Sequence, residues 1–143
     1  MKEYTGYLNG QWVPESKLLI EHTDRGFYKG DVVYEVERTF NGKLFRLEEH
    51  IDRLYRSLQY IRIDPGLSKE EMMAISEEAI QRNEDLRSDV GDHLIRQYVT
   101  RGPGRSTINA GPATVMIKVW PIDFGYYSSC FVDGAHGIVV RTR

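Results

Sequence analysis

Cysteine is almost missing from this chain: Cys130 is the only one among 143 residues. One thiol excludes an intrachain disulfide framework and a cysteine-rich zinc site, and it suits a reducing compartment, so a cytoplasmic protein is expected. Long apolar runs are also missing. Nothing approaches the ~20 consecutive apolar residues of a membrane helix, and the start, M-K-E-Y-T-G-Y-L-N-G-Q, has no apolar centre for a signal peptide. No basic run marks a nucleic-acid partner, since the net charge is −2 and both signs are mixed along the chain. His22, His50, His93 and His136 lack metal-ligand spacing, so no metal site is expected. There is no internal repeat and no low-complexity segment. What is present is an ordinary globular composition, 41% hydrophobic and 28% charged. The length suits one domain, or one domain and a fragment of a second.

Two Asn-Gly pairs, Asn9-Gly10 and Asn41-Gly42, sit between strand-like flanks. They predict tight hairpins, because a type I′ turn needs positive φ at both central positions. Pro14 ends the first hairpin or keeps it at an edge. Residues 18–20, Leu-Leu-Ile, read as a short buried strand, and residues 24–31 as a loop with Gly26 and Gly30. Residues 32–40 alternate, placing Val32, Tyr34, Val36, Arg38 and Phe40 on one face and Val33, Glu35, Glu37 and Thr39 on the other. A face carrying tyrosine, valine and arginine together suits a pocket wall, where a few polar groups stand on an apolar lining. Residues 43–47 return as the second strand of that hairpin.

Leu47, Ile51, Leu54, Leu58 and Ile61 recur at three- and four-residue steps, which predicts a helix with one apolar stripe. His50, Arg53 and Arg56 fall off the stripe. Asp64-Pro65-Gly66 breaks that helix. Ser68 followed by Glu71 is a capping box that opens a second helix ending near Asn83. Residues 84–91 read as a polar loop, 93–100 as a strand, 102–112 as a Gly/Pro loop and 113–120 as an apolar strand stopped by Pro121. Residues 123–133 read as a connector, and Gly137-Ile138-Val139-Val140-Arg141-Thr142 as the start of another strand. The expected fold is therefore α+β: an antiparallel sheet with two helices on one face.

One stretch goes further. D-R-G-F-Y-K-G-D-V-V-Y-E-V-E-R-T-F-N-G-K-L-F-R-L-E-E-H-I-D-R-L, residues 24–54, resembles the N-terminal domain of the fold-type IV pyridoxal-phosphate enzymes. This class IV group includes branched-chain and D-amino acid aminotransferases, R-selective amine transaminases and aminodeoxychorismate lyase. The resemblance extends to Val99-Thr100-Arg101-Gly102 and to the final G-I-V-V-R-T-R, and it covers about the first half of such an enzyme. It implies a small N-terminal domain over residues 1–122, an interdomain connector over 123–134 and the first strand of a truncated C-terminal domain over 135–143. It also implies the cofactor pyridoxal 5′-phosphate, transfer of an amino group between an amino acid and a 2-keto acid, and a homodimer. The Schiff-base lysine of the family is expected beyond Arg143. No catalytic residue is assigned here, and this segment alone is expected to be inactive.

The same resemblance suggests roles for individual residues. Arg53 matches the arginine that contacts the cofactor phosphate, a role that the planar guanidinium fork suits. An exposed helix arginine in a surface ion pair is the alternative. Tyr34, Val36 and Arg38 match the substrate-facing strand, with Arg38 alternatively reaching out to water. Arg96, in L-I-R-Q-Y, resembles an arginine that receives a substrate carboxylate, a salt bridge to an acidic residue being the alternative. Lys29 stands where relatives carry tyrosine, histidine or arginine, and a cation there would favour an acidic substrate group. Arg105 is a weaker match to a carboxylate-trapping arginine. His50 reads as a packing or capping residue of its helix. The substrate expected is a branched-chain-like amino acid. The alternatives are a D-amino acid transaminase, an R-selective amine transaminase, or a non-catalytic stand-alone binding domain.

Overall fold

The computed structural model describes residues 3–104 and 111–141, leaving aside the side chains of residues 88–90. Six antiparallel strands form one sheet: β1 (Thr5–Leu8), β2 (Gln11–Pro14), β3 (Val32–Phe40), β4 (Lys43–Leu44), β5 (His93–Thr100) and β6 (Thr114–Pro121). Their order is β2-β1-β6-β5-β3-β4. Both Asn-Gly turns form as their chemistry requires, with φ of 48° and 90° at Asn9-Gly10 and 50° and 75° at Asn41-Gly42. The hairpins they make are local. The sheet is joined by β6, whose Ile117 faces Tyr7 on one side and Gln97 on the other.

Two long helices, α2 (Leu47–Ile61) and α3 (Lys69–Arg82), cover one face of the sheet. A short α1 (Arg25–Lys29) precedes β3. The stripe on α2 buries Ile51, Leu54 and Leu58 against Met72, Ala79 and Ile80 of α3 and against Ile95, Val99, Val115, Ile117 and Val119 of the sheet. The capping box is present. Ser68 Oγ accepts from the Glu71 amide at 3.1 Å, and Glu71 Oε2 accepts from the Ser68 amide at 2.7 Å. Asn83 ends α3 and bonds both backbone groups of Thr5 at 2.8 Å, which ties the helix pair to β1.

Several expectations need correction. Residues 18–20 form no strand, and Leu19 is 68% exposed. After Pro14 a 3-10 turn, Glu15–Lys17, carries the chain off the sheet edge, and a three-residue apolar run cannot by itself distinguish a strand from a crossing segment. Residues 24–31 contain α1, capped by the Asp24 side chain on the Gly26 amide and closed by Gly30 at φ 69°. The return strand after Asn41-Gly42 is only Lys43–Leu44, because Arg46 turns left-handed (φ 55°) to enter α2. The expected polar loop is a helix, α4 (Glu84–Val90), with acids in its first turn and Arg87 paired to Glu84. The expected connector contains a ten-residue helix, α5 (Phe124–Asp133), opened by Asp123 Oδ1 accepting from the Tyr126 amide. Residues 137–141 are not a strand: they pair with nothing among the described residues, and Ile138 and Val139 lie in solvent.

No described helix is long and apolar enough to cross a membrane. Among the described residues, no helix covers the Tyr34 stretch of the sheet face opposite α2 and α3, where Tyr34 is exposed, and only Phe124 at the start of α5 comes near, 5.6 Å from the Arg38 guanidinium. This bare face and the nearby edge of β3 position the candidate site.

Candidate functional site

Strand β3 lies next to the sheet edge. Its neighbour β4 pairs only with Thr39 and Phe40, so the outer edge of residues 32–38 has no strand partner among the described residues. Alternation sends Glu35, Glu37 and Thr39 under the helices, where all three are buried, and turns Tyr34, Val36 and Arg38 to the bare face.

On the helix side, Glu35 is 5% exposed and receives three donors from α2. Arg53 Nε donates to Oε1 at 2.5 Å, Arg53 Nη2 donates to Oε2, and His50 Nδ1 lies 2.9 Å from Oε2. Burial pushes the Glu35 carboxyl up, but the hydrogen bonds of Arg53 and His50 outweigh it and hold the group below its usual range. One repeat along the strand, Glu37 lacks such a partner. Its Oε1 accepts from Gln97 Nε2 at 2.8 Å, and its Oε2 is unpartnered among the described residues, 3.8 Å from His50 Nδ1. Burial dominates there and raises Glu37 to about 7, against the Gln97 hydrogen bond. Gln97 also reaches Ser76 Oγ of α3 at 3.1 Å. The alternation assigned Glu35 and Glu37 to one face, but their importance was missed. Two acids two residues apart on the covered face of a strand were the available signal. His50, expected from sequence to pack or cap its helix, packs its half-buried ring from α2 toward the covered face of β3, where it braces Glu35.

Arg53 itself stays largely in water, its side chain 60% exposed. The guanidinium has two forks, and Glu35 occupies only the Nε/Nη2 fork; Nη1 has no partner among the described residues. Arg53 lines an open hollow with Phe45, Arg46, Glu49, His50 and Arg56. Arg46 pairs with Glu49 at 2.9 Å, so Arg56 leaves the rim positively charged.

On the bare face, Val36 lies opposite Arg96 and Tyr34 opposite Tyr98 in register. Three strands therefore surround Arg96. Its guanidinium carbon sits 5.1 Å from the Tyr34 ring centre, 5.2 Å from Tyr98 and 5.2 Å from Trp120. Nη1 donates to the Tyr98 hydroxyl at 2.5 Å, and the buried Nε has no partner among the described residues. No carboxylate among the described residues pairs with Arg96, although Lys118, across from it on β6, is bridged to Glu15 at 2.7 Å.

Arg38 is engaged within the fold: its guanidinium stacks on Phe40 at 3.9 Å and lies 3.7 Å from Asp92. Lys29 stands apart, exposed at the end of α1, with its Nζ 5.5 Å from the Tyr28 ring. Arg105 falls outside the described residues. The fold thus brings Tyr34, Val36 and Arg96 together, and it places Arg53 on the other side of β3. The sequence pattern suggested a pocket wall on the Tyr34 face of the strand; the geometry adds a second surface, carrying Arg53, on the other side of β3.

A family model described as amino-transferase class IV matches residues 32–125, from the start of β3 into α5. The chain belongs to the class IV aminotransferase family. A Methanocaldococcus jannaschii protein named as a branched-chain-amino-acid aminotransferase is 44% identical over 98 residues, 68% of this chain and 32% of that protein. The D-alanine aminotransferase of Staphylococcus aureus is 38% identical over 109 residues, 76% of this chain and 39% of its own. Among solved structures, a T.th. branched-chain amino acid aminotransferase complexed with N-(5′-phosphopyridoxyl)-L-glutamate superposes with a TM-score of 0.72 at 25% identity, covering 85% of this chain and 42% of that one. The fold is that of the N-terminal part of a fold-type IV aminotransferase. The chain spans less than half the length of each of these class IV relatives.

Proposed function

We propose that this chain forms the small-domain part of a pyridoxal-phosphate aminotransferase, which moves an amino group from an amino acid to a 2-keto acid. The observation that carries the reading is Arg96: a half-buried cation, walled by three aromatic rings on a bare sheet face, with no carboxylate partner among the described residues. Such a group suits the carboxylate of an amino or keto acid. Tyr34 and Val36 stand beside it and would bound the substrate side chain. Arg53, across the edge of β3, keeps the Nη1 end of its guanidinium without a partner among the described residues and would receive the cofactor phosphate. The donor chemistry of that hollow fits a phosphate, with Arg53 and Arg56 on its rim. The bound cofactor would supply an electron sink for the substrate α-carbon; the residues here bind and orient. Lys29 would add positive charge at the periphery. Arg38 would hold the end of β3 through Asp92, and its proposed contact with substrate has the least geometric support.

We place the intact enzyme in the cytoplasm as a homodimer. Support for an assembly comes from α5, where Phe124, Tyr126, Tyr127, Phe131 and Val132 are all exposed and would be covered by further polypeptide. Exposed Cys130 suits a reducing compartment. We also read residues 1–122 as the small domain, 123–134 as a helical link and 135–143 as the approach to a second domain.

The donor is proposed to be a branched-chain-like amino acid. D-amino acids are the second reading, favoured by the relatives named for D-alanine. The test is a panel of L-branched-chain and D-amino donors with pyruvate and 2-oxoglutarate, run on the full-length polypeptide with added pyridoxal phosphate. Transfer that depends on the cofactor and prefers L-leucine-type donors is expected. Preference for D-alanine would select the second reading, and no transfer with any donor would leave a binding module.

A further inference from the structure

An exposed arginine on a helix samples many rotamers, and fixing it costs side-chain entropy. Arg53 is held although most of its side chain is in water. The holder is a carboxylate buried between sheet and helix. A buried carboxylate is expensive unless its donors are supplied, and a buried ion pair is seldom more stabilising than apolar packing of similar volume. Glu35 is therefore poorly explained as a contribution to stability. Its geometry is better explained by what it does to Arg53.

Glu35 grips the guanidinium by Nε and Nη2. That grip fixes the plane and rotation of the group and leaves Nη1 as the free end. His50, three residues earlier on the same helix, bonds the same Glu35 oxygen that Arg53 Nη2 uses, so the carboxylate is braced from two points. Glu37 lies on the same covered face, 3.8 Å from His50 Nδ1, and is itself held by Gln97, which also reaches Ser76. The pair is close to neutral, so the pull on an anion comes from aimed donors and from Arg56 on the rim.

We infer that Glu35 is a positioning residue: it clamps one fork of Arg53, with His50 as the brace, so that the other end of the guanidinium points out toward a phosphate-type anion. This rests on the reading of Arg53 as the phosphate contact. A buried carboxylate that only stabilised the fold would affect all cofactor forms alike.

The test compares the affinities of pyridoxal phosphate and unphosphorylated pyridoxal for the full-length polypeptide in four forms: wild type, Glu35→Gln, Arg53→Lys and the double variant. Glu35→Gln is expected to weaken pyridoxal phosphate by about fivefold, the size expected for one perturbed charge-assisted hydrogen bond at an exposed site. Pyridoxal binding should stay within about twofold, and Glu35→Gln should add no loss once Arg53 is lysine. Equal losses for both ligands, or a loss that persists undiminished in the lysine background, would overturn the inference. If Arg53→Lys weakens pyridoxal phosphate and Glu35→Gln does not, the inference fails while the reading of Arg53 stands. If Arg53→Lys changes nothing, that reading fails and the inference with it. Should Glu35→Gln fold poorly, the same comparison is made in a Glu37→Gln background, which is expected to be more stable.

Discussion

Arg53→Ala in the full-length polypeptide is expected to weaken pyridoxal phosphate binding by about 10- to 30-fold, the lower part of the range for a hydrogen bond to a charged group. The lower part applies because the Arg53 side chain is 60% exposed, and water competes for its donors and screens its charge. Unphosphorylated pyridoxal should bind as before. Alanine has a second consequence, because it strands the buried Glu35 with only His50 as a donor. Some loss of fold stability should accompany the loss of affinity. Arg53→Lys separates the two effects. Lysine keeps the charge near Glu35 but offers no planar fork, so one group cannot serve the carboxylate and the phosphate with the same geometry. Fluorescence titration with the two cofactor forms reads the affinity, and urea denaturation reads the stability. Unchanged discrimination between phosphorylated and unphosphorylated cofactor would remove Arg53 from the phosphate site.

The second large effect concerns stability. Glu37 is buried with one unpartnered oxygen, and burial raises it from 4.5 to about 7. A group whose folded pKa lies above its unfolded value keeps its proton in the native state where the unfolded chain has lost it. Its contribution is therefore greatest below about 4.5, shrinks as pH rises, and is lost by about 7. Glutamine keeps an acceptor for Gln97 Nε2 and carries no charge at any pH. Glu37→Gln is thus expected to be near neutral at pH 5 and stabilising at pH 8, the difference between variant and wild type growing by about 3 kcal/mol across that interval. Denaturant midpoints at the two pH values check it. Glu35, Asp31 and Asp92 behave oppositely: hydrogen bonds hold all three below their usual range, so their contributions are lost only in acid. An advantage of Glu37→Gln that is equal at both pH values would show that Glu37 is already ionised in the native protein.

Much of the fold was legible because its signals are local. Two Asn-Gly turns, the apolar stripe of α2 and the capping box of Ser68 and Glu71 each depend on residues a few positions apart, and each formed where expected. The helices that were missed are also local, but their signals are polar. Glu84 and Asp85 begin α4 and Asp123 caps α5, and α5 buries no residue that periodicity could reveal. Residues 137–141 show the opposite error, a β-prone run with no partner strand among the described residues. Within the site, alternation placed Tyr34, Val36 and Arg38 on one face correctly. It could not show that Arg96 lies among rings from β3, β5 and β6, because that depends on the register of three strands. Nor could it show that Arg53 lies on the far side of β3 from Tyr34, bonded to Glu35. Partners more than ten residues apart become visible only when the sheet and helix pair are assembled.

The central claim is that this chain supplies a binding and orienting half of a cofactor site and not the lysine that holds the cofactor covalently. Its lysines are Lys2, Lys17, Lys29, Lys43, Lys69 and Lys118. Of these, Lys118 is placed on the bare face, and it is bridged to Glu15. Borohydride reduction of the full-length polypeptide with pyridoxal phosphate, followed by peptide mass mapping, tests the claim most directly. One dominant phosphopyridoxyl-lysine outside these 143 residues is the expected result. A dominant label on Lys118, or on any other lysine of this chain, would contradict it.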